Sequence, residues 1–179
     1  MLTFSTALLL ILTLIAAVTD CAFHKIFNWT TYPGIVAALA LNSFENGWEG
    51  GAGLLESLKG LALCGGLMLV ALVFFPDMGG GDVKLVAMLG AFLGFEKGLE
   101  ALLWTCVLGA AAGLVMLIWR VGLFRLIAAV VRHLLLSLRL VSWVPLSEEE
   151  RKQLQTRLYL APAAVIAVVI VCFDLQRFL

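Results

Sequence analysis

Long apolar runs separated by short polar breaks restrict what this chain can fold into. Residues 1–19 carry no charged side chain, and the chain as a whole is 63% hydrophobic, with a mean hydropathy of +1.06. A run of about 20 apolar residues is long enough to cross a bilayer as an α-helix. A helix is also the form in which an isolated segment satisfies its own backbone hydrogen bonds in lipid. The sequence therefore predicts an all-α integral membrane protein.

Six apolar runs are candidates for transmembrane helices. They cover about 2–19, 31–44, 54–75, 83–95, 99–119 and 158–175. We predict one membrane-embedded domain over 1–179, built as a bundle of about six helices. The first run lacks a basic leader and a small-residue cleavage site, so we expect a retained span rather than a signal peptide. Gly90 and Gly94 stand in G-x-x-x-G register, which indicates close helix packing or chance in a glycine-rich chain.

A basic and apolar segment follows the fifth run. Arg125, Arg132 and Arg139 recur every seven residues, and this spacing returns to nearly the same face of a helix. We predict one cytoplasmic amphipathic segment over about 120–157, which lies in the membrane interface with its arginines toward the lipid headgroups. The alternative is a seventh span, which would place Arg132 near mid-bilayer at a cost of several kcal/mol.

Basic residues predict the orientation of the chain, and composition excludes several function classes. With the N-terminus outside, nine basic residues lie on the inner side and three on the outer side, as the positive-inside rule requires. A net charge of zero gives no reason to expect nucleic acid as a partner. Scattered cysteines and two lone histidines do not form a ligand set, so neither a metal nor a cofactor is expected. The inner residues are Lys25, Lys84, Arg120, Arg125, Arg132, Arg139, Arg151, Lys152 and Arg157.

Two acidic residues then lie at the cytoplasmic ends of different predicted helices. Asp20 ends the first run, and Asp82 follows Gly79, Gly80 and Gly81 at the start of the fourth. Two carboxyl groups that hold one water can hydrolyse a peptide bond, with the ionised group as general base and the protonated group as general acid. The glycines present no side chain to an approaching substrate backbone. The pattern favours a membrane-embedded aspartyl hydrolase.

Other roles for these residues remain open at this point. Asp82 is also a suitable N-cap for the fourth helix. Asp20 could simply terminate the first helix. A proton-coupled carrier would use both acids as a relay, although they lie near one face rather than at mid-bilayer. A non-catalytic assembly factor would use neither. Lys84 lies on a different helical face from Asp82 and is predicted to snorkel into the interface.

Three short motifs occur along the chain: Asp20 followed by Lys25, Ile26 and Asn28, then GGGDVKL over 79–85, then YLAPA over 159–163. In the same order, they resemble motifs of the prepilin peptidases, the G-x-G-D class of membrane aspartyl proteases. Residues 79–85 read GGGDVKL and resemble the family's G-x-G-D-x-K stretch. Asp20 is followed by Lys25, Ile26 and Asn28, although Phe27 stands where the family commonly has proline. Residues 159–163, YLAPA, resemble the family's P-[YF]-x-P-[AF] stretch, although a small residue is expected in place of leucine.

The resemblance implies a function, a partner and a set of site residues. Asp20 and Asp82 would be the catalytic pair, and the Gly79–Gly81 turn the place where substrate approaches. The substrate would be a prepilin or pseudopilin precursor, cleaved at the cytoplasmic face of the bacterial inner membrane, with lipids as the other partner. The supporting residues would be Lys25, Asn28, Lys84 and Pro162.

The resemblance also indicates which branch of the family the chain is closest to. It starts directly with a membrane span, whereas the bifunctional members carry an N-terminal region with paired cysteines that is associated with methylation. Methyltransferase activity is therefore not expected. The chain looks more like the short peptidases of tight-adherence (Flp-type) pili or similar secretion assemblies.

Overall fold

The computed structural model describes residues 4–23, 25–46, 53–74, 79–121 and 160–174. Helices in these residues overlap every one of the six predicted spans, because the fourth helix contains both the fourth and the fifth span. The predicted amphipathic segment over 120–157 lies outside the described residues, except for 120–121 at the end of α4. The helices are α1 (Phe4–Phe23), α2 (Asn28–Asn46), α3 (Leu54–Phe74), α4 (Gly80–Val121) and α5 (Leu160–Cys172).

The chain divides into two compact units. One comprises Met1–Gly109 with Tyr159–Leu179, and the other comprises Ala110–Leu158. The first contains α1, α2, α3, α5 and most of α4, together with every predicted site residue. In the second, the described residues 110–121 are the last turns of α4. A single domain over 1–179 stays a prediction.

Helix α4 doubles back on itself at Gly94. The backbone there leaves the helical region, with φ 78° and ψ −168°, a combination that is essentially confined to glycine. A Cβ added to Gly98 would lie 3.0 Å from the Gly90 Cα, whereas these residues would be about 12 Å apart along a straight helix. The two arms, 80–93 and 95–121, correspond to the predicted spans 83–95 and 99–119. The break between them is a single residue.

Glycines bring α3 and the first arm of α4 into backbone contact. A Cβ added to Gly60 would overlap the carbonyl oxygen of Gly90, and a Cβ added to Gly90 would overlap that of Gly60. Farther along the pair, a Cβ at Gly65 would lie 3.2 Å from that of Ala87. The two helices are therefore antiparallel and too close for any side chain at the crossing. Such close approach is a common basis of helix association in membranes.

A buried amide supports the backbone next to the break in α4. The Asn42 side chain is 2% exposed, and its Nδ2 donates to the Ser57 Oγ at 2.6 Å. The same nitrogen lies 3.1 Å from the carbonyl oxygen of Ala91 and 3.2 Å from that of Phe92. Those carbonyls precede the break, where regular i to i+4 pairing is interrupted. Asn42 thus satisfies backbone groups that would be costly to leave unpaired in an apolar environment.

Apolar side chains fill the core and also cover the outer surface. Among the residues that the structure describes, three helices are long and apolar enough to cross a membrane, namely Phe4–Phe23, Leu54–Phe74 and the Gly80–Trp119 part of α4. Helix α5 is apolar but shorter. Large apolar residues such as Leu69, Val73 and Val107 are more than half exposed, as expected of side chains that face lipid rather than water. The chain is an all-α membrane protein, and the count of six spans stays a prediction.

Candidate active site

The predicted site residues gather at one end of the helices of the first unit. Helix α1 ends there, and α2, α4 and α5 begin there. A Cβ added to Gly81 of α4 would lie 3.0 Å from the Ile26 Cβ, just before α2. Leu160, the first residue of α5, belongs to the same apolar cluster as Val83 of α4. The first turns of α4 and α5 and the chain entering α2 are therefore neighbours.

Asp20 and Asp82 approach each other at this end. Asp20 lies in the last turn of α1 and is 9% exposed, whereas Asp82 lies in the first turn of α4 and is half-buried. The negative charge of Asp20 acts on the Asp82 carboxyl group. Like charges at short range disfavour simultaneous ionisation, so such a pair tends to hold one proton between its members. The arrangement can supply one base and one acid together.

Asp82 is not the N-cap of α4. The helix begins at Gly80, so the residue in the capping position is Gly79. The Asp82 amide donates to the Gly79 carbonyl oxygen at 3.0 Å, which places Asp82 at the third helical position. A carboxylate in the first turn is still favoured by the unpaired backbone N–H groups there. Asp82 is therefore not the N-cap residue itself, but its carboxyl group accepts a hydrogen bond from the Gly79 backbone amide, so a structural role at the start of the helix stays open beside the catalytic one.

The three glycines before Asp82 have different surroundings. Gly79 and Gly80 are exposed, and a Cβ added to Gly80 would meet no atom within 4 Å. A Cβ added to Gly79 would lie 3.4 Å from the Asp82 Oδ2. At Gly81 the space of a side chain is already occupied by Ile26. The open edge beside the acids thus consists of Gly79 and Gly80, and Gly81 serves the packing of α4 against the start of α2.

Lys84 connects the first turn of α4 to the first turns of α2. Its ammonium donates to the Asn28 Oδ1 at 2.8 Å and lies 4.8 Å from the centre of the Tyr32 ring. Two predicted supporting residues, Lys84 and Asn28, are therefore in direct contact. Tyr32 was not among the predicted site residues. The signal that would have indicated it is its spacing of four residues from Asn28, which puts both on one face of α2.

The contact between Lys84 and Asn28 is expected to contribute to stability. We expect Lys84→Met and Asn28→Ala each to lower the free energy of unfolding, with a coupling of about 1 kcal/mol between them because they share one hydrogen bond. Unfolding of the wild type, both single variants and the double variant in the same detergent measures this coupling. Strictly additive effects would mean that the contact does not stabilise the protein.

The other predicted supporting residues lie near this end of the helices. Lys25 is exposed in the link between α1 and α2. Pro162 is half-buried in the first turn of α5, a position where a helix tolerates the missing N–H of proline. Their sequence neighbours Ile26 and Leu160 make the contacts to α4 described above. These positions are close to the acid pair in the fold, and a role for either residue remains a prediction.

Comparison with known proteins identifies the family. Neither the curated proteins nor the solved structures include one that matches this chain. A family model does match, over residues 7–114, which is more than half of the chain and includes most of α1, all of α2 and α3, Asp20, Asp82 and the break at Gly94. Its description is the type IV leader peptidase family. A membrane helix bundle with two interacting carboxyl groups at one end agrees with this match, and the chain belongs to the type IV leader peptidase family.

Proposed function

We propose that this protein is an aspartic endopeptidase that removes the leader of type IV pilin-like precursors. The observation that carries the proposal is that Asp20 and Asp82, two acids from different helices, lie at the same end of the bundle and close enough for the charge of Asp20 to act on the Asp82 carboxyl group. This end has an open glycine edge. Membership in a leader peptidase family supports the peptidase activity. The aspartic mechanism is inferred from the two carboxyl groups.

Each acid has a distinct task in the proposed mechanism. The ionised carboxylate takes a proton from a water as that water attacks the scissile carbonyl carbon. The protonated carboxyl donates to the carbonyl oxygen and stabilises the charge that develops there. When the tetrahedral intermediate collapses, the carboxyl group that took the proton of the water gives it to the leaving nitrogen as the C–N bond breaks. The other acid takes back its proton from the oxygen that becomes the product carbonyl, which returns the pair to its starting state. Asp20, which is the more buried of the two, is held in the last turn of α1, and Asp82 is held by the first turn of α4.

The glycine edge is the proposed place of substrate approach. Peptide bonds within a helix are shielded, so a helical precursor has to unwind locally before it is cleaved. Gly79 and Gly80 are exposed, and no atom lies within 4 Å of a Cβ added to Gly80. An extended backbone can therefore come close to the acids at this edge without meeting a side chain.

We further propose a six-span topology with the acids at the cytoplasmic face of the bacterial inner membrane. The nine-to-three distribution of basic residues supports this orientation. Alternating directions of α1, α2 and α3, followed by the two arms of α4, are consistent with repeated crossing. The segment over 120–157 would lie along the inner headgroup region. The substrates we favour are Flp-type prepilins or related pseudopilins.

Co-expression with a panel of prepilin precursors tests the proposal. Mass spectrometry of the pilin N-terminus is expected to show loss of the leader when this protein is present and an intact leader when it is absent. Detection of the protein in the membrane fraction is the control for expression. Intact leaders across the whole panel, with the protein correctly inserted, would contradict the proposed activity.

A further inference from the structure

Thr31 carries a fully buried hydroxyl group that the packing of the helices does not satisfy. The residue is 0% exposed in α2, and its Oγ1 has no hydrogen-bond partner among the described residues. A buried hydroxyl without a partner is costly to the folded state. Such a group usually indicates a ligand, a bound water or a functional contact that forms in another state.

Comparison with other buried threonines shows that Thr31 is unusual in this part of the chain. Thr13 and Thr105 are also 0% exposed. The Thr13 hydroxyl donates to the carbonyl oxygen of Leu9 at 2.9 Å, and the Thr105 hydroxyl donates to that of Ala101 at 2.6 Å. These hydroxyls bond to the preceding turn of their own helix, which is the ordinary solution for threonine in an apolar environment.

The equivalent carbonyl is already in use at Thr31. Four residues earlier stands Phe27, whose carbonyl oxygen accepts from the Thr30 hydroxyl at 2.8 Å and from the Thr30 amide at 3.2 Å. A carbonyl oxygen has two lone pairs, and both are engaged by Thr30. The neighbouring threonine thus leaves the Thr31 hydroxyl available for a different acceptor.

Contacts along α2 place Thr31 on the face of this helix that packs against α4. On the same face of α2, Asn28 contacts Lys84 of α4, and Gly34 lies against Met88 of α4 and Leu12 of α1. Thr31 stands midway between Asn28 and Gly34, so it faces α4 between Lys84 and Met88.

The contact between Gly34 and Leu12 also shows which part of α1 lies beside Thr31. Because α1 and α2 are antiparallel, Thr31 lies about one turn closer than Leu12 to the Asp20 end of α1. Along the helix axis, Thr31 is then about one helical turn, about 5.4 Å, from Asp20. Residues of α1 and α4 around this level, such as Ala16 and Leu85, are apolar and 0% exposed. The carboxyl pair therefore provides the acceptors with the greatest electrostatic attraction for the hydroxyl.

We propose that Thr31 is a positioning residue for this pair. Its hydroxyl donates a hydrogen bond to the Asp20 carboxyl group, directly or through one bound water, and thereby sets the orientation in which Asp20 meets Asp82 and the attacking water. Charge-assisted hydrogen bonds of this kind are stronger than neutral ones. The inference rests on the proposed function, because the pair is oriented for peptide hydrolysis.

Three variants test the role of this hydroxyl. Thr31→Val removes it at nearly constant shape, Thr31→Ser retains it, and Thr13→Val removes a buried hydroxyl that bonds within its own helix. Leader cleavage by each purified protein in detergent gives kcat and KM, and thermal unfolding gives stability. We expect Thr31→Val to lower kcat by about 10- to 100-fold with little change in KM, as for the loss of a hydrogen bond to a charged group. Thr31→Ser should retain most of the activity, and Thr13→Val should retain kcat.

The unfolding temperature of the Thr31 variants distinguishes a positioning role of this residue from a role in packing. In this structure the Thr31 hydroxyl has no partner among the described residues, and its bond to Asp20 forms when the acid pair is oriented for reaction. Thr31→Val should therefore unfold at the same temperature as the wild type or higher. Unchanged kcat in Thr31→Val would overturn the proposal, as would an activity loss that follows a lower stability or is shared by Thr31→Ser. Cleavage that needs both acids but not the hydroxyl would overturn this inference alone. Cleavage that survives loss of either acid would instead overturn the aspartic mechanism.

Discussion

Replacement of either Asp20 or Asp82 by asparagine is expected to abolish leader cleavage, with a loss of at least about 100-fold in rate. Asparagine has nearly the same shape as aspartate, but it neither ionises to act as a base nor donates an acidic proton. The remaining acid cannot perform both tasks in one catalytic cycle. Mass spectrometry of a co-expressed precursor measures the result as the fraction of pilin that retains its leader.

Folding of these variants should be intact. The two carboxyl groups repel each other when both are ionised, so neutralising one of them removes an unfavourable interaction. Unfolding in detergent should therefore occur at or above the wild-type temperature. Glu96→Gln is a suitable control because Glu96 is an exposed acid of α4 beyond the break at Gly94, and this variant should cleave normally.

The same substitutions separate the competing functions. Full activity in either asparagine variant would contradict the two-carboxylate mechanism. If the precursor were never cleaved and a proton-linked transport activity were lost instead, the carrier interpretation would be favoured. A pilus assembly function that survives both substitutions would favour a non-catalytic factor.

A second large effect is expected at the crossing of α3 and α4. Gly60→Ala should lower the free energy of unfolding by about 3 kcal/mol, because the added methyl group overlaps the Gly90 carbonyl oxygen. This overlap involves backbone rather than a flexible side chain, so the helices can relieve it only by moving apart. The corresponding substitution on the facing helix, Gly90→Ala, is expected to have a similar effect because the added Cβ overlaps the Gly60 carbonyl oxygen. Unfolding in detergent measures both.

Gly66 provides the matched control within the same helix. A Cβ added to Gly66 would meet no atom within 4 Å, so Gly66→Ala introduces no overlap. Alanine has a higher helix propensity than glycine, and this variant should therefore be more stable than the wild type by up to about 1 kcal/mol. Equal effects at Gly60 and Gly66 would contradict close packing at the crossing, since helix propensity alone would then explain both.

Membership in the type IV leader peptidase family confirms the resemblance drawn from the three motifs. The sequence also correctly predicted an all-helical membrane protein, and it placed Asp82 near the start of a helix, although that helix begins two residues earlier, at Gly80. These features are local, because they depend on apolar run length and on the helix-starting preferences of neighbouring residues. The catalytic role of Asp20 and Asp82 stays a prediction until the asparagine variants are measured.

Gly90 and Gly94 have different structural roles that their spacing in the sequence does not distinguish. Gly90 and Gly94 have the same spacing signature, yet Gly90 meets Gly60 of α3 and Gly94 breaks α4. Nothing in the one-dimensional pattern separates a contact glycine from a turning glycine. The difference depends on which helix lies opposite, and on the support that Asn42 gives to the carbonyls before the break.

By itself, the sequence determined the class of this protein and the ends of the helices at which the two acids lie, because backbone hydrogen bonding in lipid is satisfied within each segment. Only the tertiary structure decided which polar side chains meet. The contacts of Lys84 with Asn28 and of Asn42 with the Ala91 carbonyl both depend on the register between helices. That register arises from side-chain packing across distant parts of the chain, and a rotation of one residue, about 100° around a helix, would bring a different set of groups together.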